Sequence, residues 1–312
     1  MSATLTPQTA TPFEVTLYVL TTQVSVSTNS SALRRQLLDL FKDLGHYRET
    51  TAKVRFSAVW STVPRPHWEV TRDGSPREFD LNEDAVAAYL QWEFNQLAIE
   101  ASSIAIHAGA VAFDTGAVLL PGASHAGKTT LTGWLAAKGG FYITDEVVSL
   151  GKGGLVSPFP RPLGMRPDSP LTRLSASTCD HETLVPVSSL GIAVETTPKP
   201  VVAIVFPSFQ ADAASKVCPV TPAEALLLLA KLTPGLNEDS RLVLQGLCDL
   251  VNLAPAYTVT FGNVEDVAER VPALTQTASV LEQELVSELP LVPGQNPDYT
   301  VLHAGAVGLV CD

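Results

Sequence analysis

A chain of 312 residues, 46% apolar and 17% charged, has the composition of an ordinary globular protein with one large or two modest domains, not of a disordered one. Its net charge of −12 offers no general basic field, which argues against a nucleic-acid partner and requires any anionic ligand to be held by a local site. Cys179, Cys218, Cys248 and Cys311 stand far apart with no Cys-x-x-Cys pair, which argues against a zinc site and a disulfide framework.

At the start of the chain, Met1 to Pro12 has neither the basic nor the apolar stretch of a signal peptide. The longest apolar runs, Ala225 to Ala230 and Val201 to Phe206, are too short to span a bilayer, so the expectation is a soluble cytoplasmic protein with no membrane partner. Residues 1–102 read as an α+β portion rich in strands: Phe13 to Leu20, Val24 to Ser27, Lys53 to Trp60 and Trp68 to Thr71, the last followed by a hairpin turn at Asp73-Gly74. Between them Ser31 to Leu44 carries apolar residues at helical spacing and stops at Gly45. Asn82 is placed to cap a second helix running to about Glu100, whose Tyr89, Trp92, Phe94 and Leu97 supply bulk for a core or an interface.

From Ser103 the pattern changes. Ile104 to Phe113 reads as one strand, Asp114-Thr115-Gly116 as a turn, and Ala117 to Leu120 as the partner strand. That strand runs into Gly122-Ala123-Ser124-His125-Ala126-Gly127-Lys128-Thr129, followed by Thr130, with the complete spelling of a phosphate-binding P-loop. A strand entering a Gly-rich turn and then a helix aims backbone N–H groups, and the positive end of the helix, at one point. The expectation is a nucleoside triphosphate with Lys128 at the outer phosphates and the Thr129 hydroxyl on Mg²⁺; the bland alternative is a chance match in an Ala/Gly-rich loop. His125 reads as an exposed side chain tolerated in a loop that works through its backbone. A helix from Lys128 to Lys138 stops at Gly139-Gly140, and strands follow at Phe141 to Thr144 and Val147 to Leu150. Pro158 to Pro167 is broken by prolines and reads as extended, Val201 to Phe206 as a buried strand, and Thr221-Pro222 as the start of a helix to Leu232. A helix over Glu238 to Leu253, a strand over Ala256 to Phe261 and a short helix from Val264 complete a core expected over residues 103–276. Residues 277–312 read as an appendage, in which Leu302 to Val307 nearly repeats Ile106 to Val111 without amounting to a repeat architecture.

A P-loop needs an acid at the end of a neighbouring apolar strand to hold Mg²⁺ through water. Asp145-Glu146 closes such a strand 17 residues after Lys128, enough for one helix and a strand back beside the loop. Successive strand residues face opposite ways, so the two acids should differ in role unless the strand ends between them; both could also be solvated strand-end acids. His107, on an apolar strand, is either a satisfied core residue or part of the site. Arg161 and Arg166 are candidates to offset charge on a transferred phosphoryl group, with one of the two expected to face the site.

The run Ile106 to Leu150 resembles the catalytic core of bacterial HPr serine kinase/phosphorylase, in particular its divergent HPr-kinase-related group. The resemblance rests on the His107-Ala108-Gly109-Ala110-Val111 strand, the P-loop, the helix ending in Gly and the paired acids, with softer matches at Pro158 to Leu163 and Val220 to Leu226. It covers roughly Pro12 to Thr277 and departs from the family at Thr129-Thr130 and at Glu146, where the family has Ser-Glu and a second Asp. The implied fold is α/β, an HPr-kinase-like P-loop core with a mixed β-sheet plus the N-terminal β-rich portion, which would help bind the acceptor. The implied activity is ATP- and Mg²⁺-dependent phosphorylation of a serine on a protein or modified peptide, with Asp145 as the base, His107 near it, Glu146 and Thr129 on Mg²⁺, and a homo-oligomer as a further partner. A nucleotide-binding regulator or NTPase that transfers nothing, and a small-molecule kinase, are the rival functions; no guanine-reading Asn-Lys-x-Asp is present.

Overall fold

The computed structural model describes residues 12–45, 52–63, 65–79, 82–174, 181–236 and 240–275. The expected appendage and its near-repeat lie outside them.

The N-terminal strands β1 (Phe13–Val19), β2 (Thr22–Thr28), β3 (Val54–Ser61), β4 (His67–Arg72) and β5 (Ser75–Phe79) form one sheet in chain order, antiparallel except for the parallel β2–β3 pair. Val15, Leu17 and Val19 alternate inward along β1, as a sheet with one covered face requires. Two helices cover that face. α1 (Ser31–Leu40) starts where the Ser30 hydroxyl accepts from Leu33 N, and buries Leu33, Leu37 and Leu40. α2 (Glu83–Ala101) is capped by Asn82 as its sequence predicts, and buries Val86, Leu90, Phe94 and Leu97. Phe94 meets Phe41 and Phe56 edge-on at ring-centroid distances of 5.0 and 5.8 Å. The same apolar cluster takes in Ala105, Val147 and Phe159 from the second half of the chain.

The second half builds a mixed sheet. Its elements are β6 (Ile104–Ile106), β7 (Ala108–Phe113), β8 (Gly116–Pro121), α3 (Lys128–Ala137), β9 (Phe141–Thr144), β10 (Val148–Leu150), β11 (Leu155–Ser157), β12 (Leu163–Met165), β13 (Thr183–Val185), β14 (Lys199–Phe209), β15 (Lys216–Val220), α4 (Pro222–Ala230), α5 (Ser240–Leu253), β16 (Ala256–Phe261) and α6 (Val264–Ala268). The strand order is β6-β10-β11-β14-β8-β7-β9, with β16 parallel to β14 and β15 on its other side; β12 and β13 pair apart. The α/β class with mixed sheets is thus observed. α4 opens with Thr221 and Glu224 capping each other reciprocally before Pro222, the signal its sequence gives.

Two expectations are corrected here. Ile104 to Phe113 is not one strand: it breaks at His107, so that β6 pairs with β10 while β7 pairs with β8 and β9. The break holds because His107 N donates to Leu232 O at 2.7 Å, outside the sheet ladder. The strand expected to end at Phe206 continues to Phe209. Its partner β8 pairs only up to Leu119–Ile204, so the missing N–H of Pro207 falls where no strand remains on that side.

α3 lies against β7 at Gly109, where a Cβ would stand 2.1 Å from Thr132 Oγ1. That close approach seats the helix, and the P-loop before it, on the sheet.

Candidate functional site

β8 is buried along its whole length and delivers the chain to the loop at Gly122. Gly127 adopts φ 90°, and a Cβ there would meet Phe261 Cζ at 2.8 Å and Phe209 Cβ at 3.1 Å, so the position needs glycine twice over. His125 takes φ 66° without being glycine, with its side chain exposed at the loop tip. No side chain caps the first turn of α3, which leaves its N–H groups directed at the loop mouth. The loop is tied to the sheet by Phe209 N, which donates to Ala126 O at 3.1 Å.

Lys128 is 5% exposed, and its ammonium donates to Ala123 O at 3.0 Å and to His107 Nε2 at 3.1 Å. Burial pulls its pKa down; the Asp145 and Glu146 carboxylates oppose that shift. An ammonium has only donors, so Nε2 of His107 must accept and the ring proton sits on Nδ1. From there it is directed at Glu146 O, 3.1 Å away, and at Glu146 Oε1, 3.4 Å away.

β9 ends at Thr144, and the two acids after it part company. Asp145 is 2% exposed; its Oδ2 accepts from Thr129 Oγ1 at 2.7 Å, while Oδ1 is buried with no partner among the described residues. Glu146 has φ 82°, a strained conformation for a residue with a Cβ, which turns its side chain towards His107 and leaves it 40% exposed. His107 is therefore bonded to Lys128 and Glu146, and not to Asp145 beside which it was expected.

Arg161 is buried at 8% exposure, donates from Nη1 to Asp145 O at 3.2 Å, and offers its carbonyl to the Tyr142 hydroxyl at 3.0 Å. Burial first, and the nearby Asp145 next, hold that hydroxyl well above the ordinary tyrosine range. The Gln91 amide, from α2, lies against Nε and Nη2 of the same guanidinium, from which its oxygen accepts once the amide is turned over. Sequence reasoning missed Gln91, because a polar residue on the buried side of a helix names no partner across 70 residues of chain.

Two cavities meet here. One, of about 550 Å³, holds the P-loop from Ser124 to Thr130 apart from Ala126, together with Arg166, Arg173, Phe209 and Phe261. The other, of about 310 Å³, lies between α2 and the acids, lined by Gln91, Trp92, Asn95, Asp145, Arg161 and Leu184. Thr129, Glu146, Gly164 and Glu182 border both. Arg161 and Arg166 thus each face a cavity, where only one was expected to; Pro162 and Gly164 between them break the strand alternation behind that expectation. Arg166 is exposed, with Nη1 3.3 Å from His125 Nδ1.

Among the described residues no three His, Cys, Asp or Glu side chains cluster to cage a metal ion. Mg²⁺ bound with phosphates does not require such a cage, since one or two protein oxygens, phosphate and water complete its shell. The Thr129 hydroxyl beside a buried carboxylate with an orphaned oxygen fits that demand. Also among the described residues, no helix is long and apolar enough to cross a membrane.

No protein-family model matches the chain, and no curated protein does. Among solved structures it is similar to the Hpr(Ser) kinase/phosphatase from Coxiella burnetii, with 12% identity, coverage of 57% of this chain and 98% of that one, and a TM-score of 0.29. This is a distant likeness from which no residue role is taken.

Proposed function

We propose that this protein is a kinase that transfers the γ-phosphate of Mg-ATP to a hydroxyl, that of a serine on a protein or peptide. The observation that carries it is the meeting of two cavities at Thr129 and Glu146, one over the P-loop and one under α2. A triphosphate extended along the loop brings its terminal phosphorus to that junction, and an acceptor entering beneath α2 approaches the same point from the opposite side. A hydrolase needs only water there, and would have no use for the second cavity or for the Trp92 and Asn95 wall that the N-terminal portion contributes.

The roles follow the geometry, and Asp145 and Glu146 exchange what the resemblance implies. Thr129 and Asp145 hold Mg²⁺, which offsets charge on the β- and γ-phosphates. Glu146, partly exposed at the junction and oriented by the Nδ1–H of His107, accepts the acceptor's hydroxyl proton. The hydroxyl oxygen then bonds to the γ-phosphorus as the bond to the β–γ bridging oxygen breaks and ADP departs. Lys128 exchanges His107 Nε2 and Ala123 O for phosphate oxygens. Arg166, at the mouth of the larger cavity beside His125, offsets charge on the transferred group, while Arg161 fixes the Asp145 backbone.

The test is transfer from γ-labelled ATP to serine peptides by the wild type, Glu146→Gln, Asp145→Asn and Lys128→Ala. Glu146→Gln should lose about 10²–10⁴-fold in transfer while still binding nucleotide, and Asp145→Asn should lose Mg²⁺-dependent binding. Full activity in Glu146→Gln with loss in Asp145→Asn would return the base to Asp145. Release of free phosphate alone, with every acceptor, would make the protein an NTPase.

A further inference from the structure

We infer that Phe209, backed edge-on by the buried Phe261, is the platform on which the base of the bound nucleotide stacks; this rests on the nucleotide reading above and adds the subsite that separates a nucleotide from a bare polyphosphate. β14 and β16 are parallel neighbours in register Phe209–Phe261, so both rings stand at the carboxyl ends of adjacent strands. In an open α/β sheet that edge is where ligands collect. Phe261 is 1% exposed, but Phe209 is 50% exposed, its ring packed edge-on against Phe261 at 5.8 Å and 64°. The half-open Phe209 ring lines the same cavity as Lys128 and Thr129, within reach of a ligand seated on the loop.

The platform is rigid and tied to the phosphate cradle. Phe209 N donates to Ala126 O at 3.1 Å and Gln210 N to Phe261 O at 2.9 Å, so the end of β14 is held by the P-loop on one side and by β16 on the other. Gly262 lets the turn at Asp212 close over the end of β16, since a Cβ there would stand 2.9 Å from Asp212 N. Two polar side chains at this end hold each other through Glu265: Asn263 Oδ1 accepts from Glu265 N at 3.0 Å, and Arg173 donates to the Glu265 carboxylate at 2.8 Å. The Phe209 ring meets a base by its face, and a phenyl face does not distinguish adenine from guanine.

The substitution Phe209→Ala keeps the Cβ that packs on Gly127 and removes only the ring, so the cradle survives. With Mg²⁺ present, calorimetry should show ATP and GTP binding within a few-fold of each other, both tighter than inorganic tripolyphosphate. Phe209→Ala should weaken ATP about tenfold or more and leave tripolyphosphate unchanged; Phe209→Trp should retain ATP. Lys128→Ala should weaken both ligands. Equal loss of ATP and tripolyphosphate in Phe209→Ala would make the ring a prop for the loop and overturn the inference. So would equal wild-type affinity for the two ligands, which leaves the kinase standing. Wild type binding neither ligand would overturn the inference and the nucleotide reading together.

Discussion

In the N-terminal sheet charged groups pair: the partly exposed Arg72 meets the exposed Glu100 at 2.6 Å and the buried Glu93 at 3.3 Å, and β1 alternates buried with open positions. In the sheet behind the P-loop, β8 is buried throughout, yet Lys128, Asp145 and Arg161 are buried around it. Both regions contain residues with positive φ that are not glycine, but Leu20 and Asp73 occupy hairpin turns of the first, while His125 and Glu146 border cavities in the second. The first region pairs its buried Glu93 with Arg72, and its buried orphan Asn95 Oδ1 lies on α2 at the border of the second cavity. The second keeps a buried carboxylate oxygen without partner and a lysine bonded to a histidine and a carbonyl. Strain and incomplete pairing gathered in one place are what a site completed by a ligand requires.

The largest effect that sharpens this contrast is Phe94→Ala. Removing a fully buried ring between Phe41 and Phe56 should cost about 3–5 kcal/mol of stability. Denaturant unfolding should show that loss, and calorimetry on the folded protein should show nucleotide affinity unchanged; a parallel loss of affinity would break the contrast. Next comes the seat of α3. Gly109→Ala forces a methyl into Thr132 Oγ1 and should cost about 1–3 kcal/mol. Thr132→Ala removes a buried hydroxyl that has no partner and should be close to neutral alone. The double substitution should recover most of the Gly109→Ala loss in denaturant unfolding; simple additivity would mean that the strain lies elsewhere.

What the sequence makes legible follows the same contrast. Features signalled by local chemistry are read correctly: the Asn82 and Thr221 caps, the stop at Gly139-Gly140, the hairpin at Asp73-Gly74 and the strand–loop–helix spelling around Lys128. Features set by a tertiary partner are not. The break at His107 lies between two apolar halves and depends on Leu232 across the fold. That Asp145 and Glu146 part was expected from strand alternation, but that Glu146 is the one turned to His107 depends on a φ of 82° that no glycine announces. In sequence, Pro207 marks an end for β14, whereas here its nitrogen faces a side where β8 has already stopped. Phe209 was hidden behind that proline. β15 carries Pro219 for a related reason: it pairs only with β16 and lies at an edge.

The smallest effect concerns protons at Lys128. Burial lowers its pKa below 10.5, despite the Asp145 and Glu146 carboxylates and with His107 beside it. The unfolded chain therefore binds more protons than the folded one between the depressed pKa and 10.5, and stability contributed by this residue rises with pH across that window. Tyr142 and Tyr257 act in the opposite sense, because burial raises their pKa and their contribution falls as pH climbs past about 10. The two can be separated by subtraction: wild type minus Lys128→Met, followed by denaturant unfolding through the alkaline range, should rise with pH, since only the lysine differs. Saturating Mg-ATP should flatten the rise, because phosphate oxygens return the ammonium's pKa upwards and close the window. A difference profile that is flat without nucleotide would mean that the Asp145 and Glu146 carboxylates already compensate the lysine's burial.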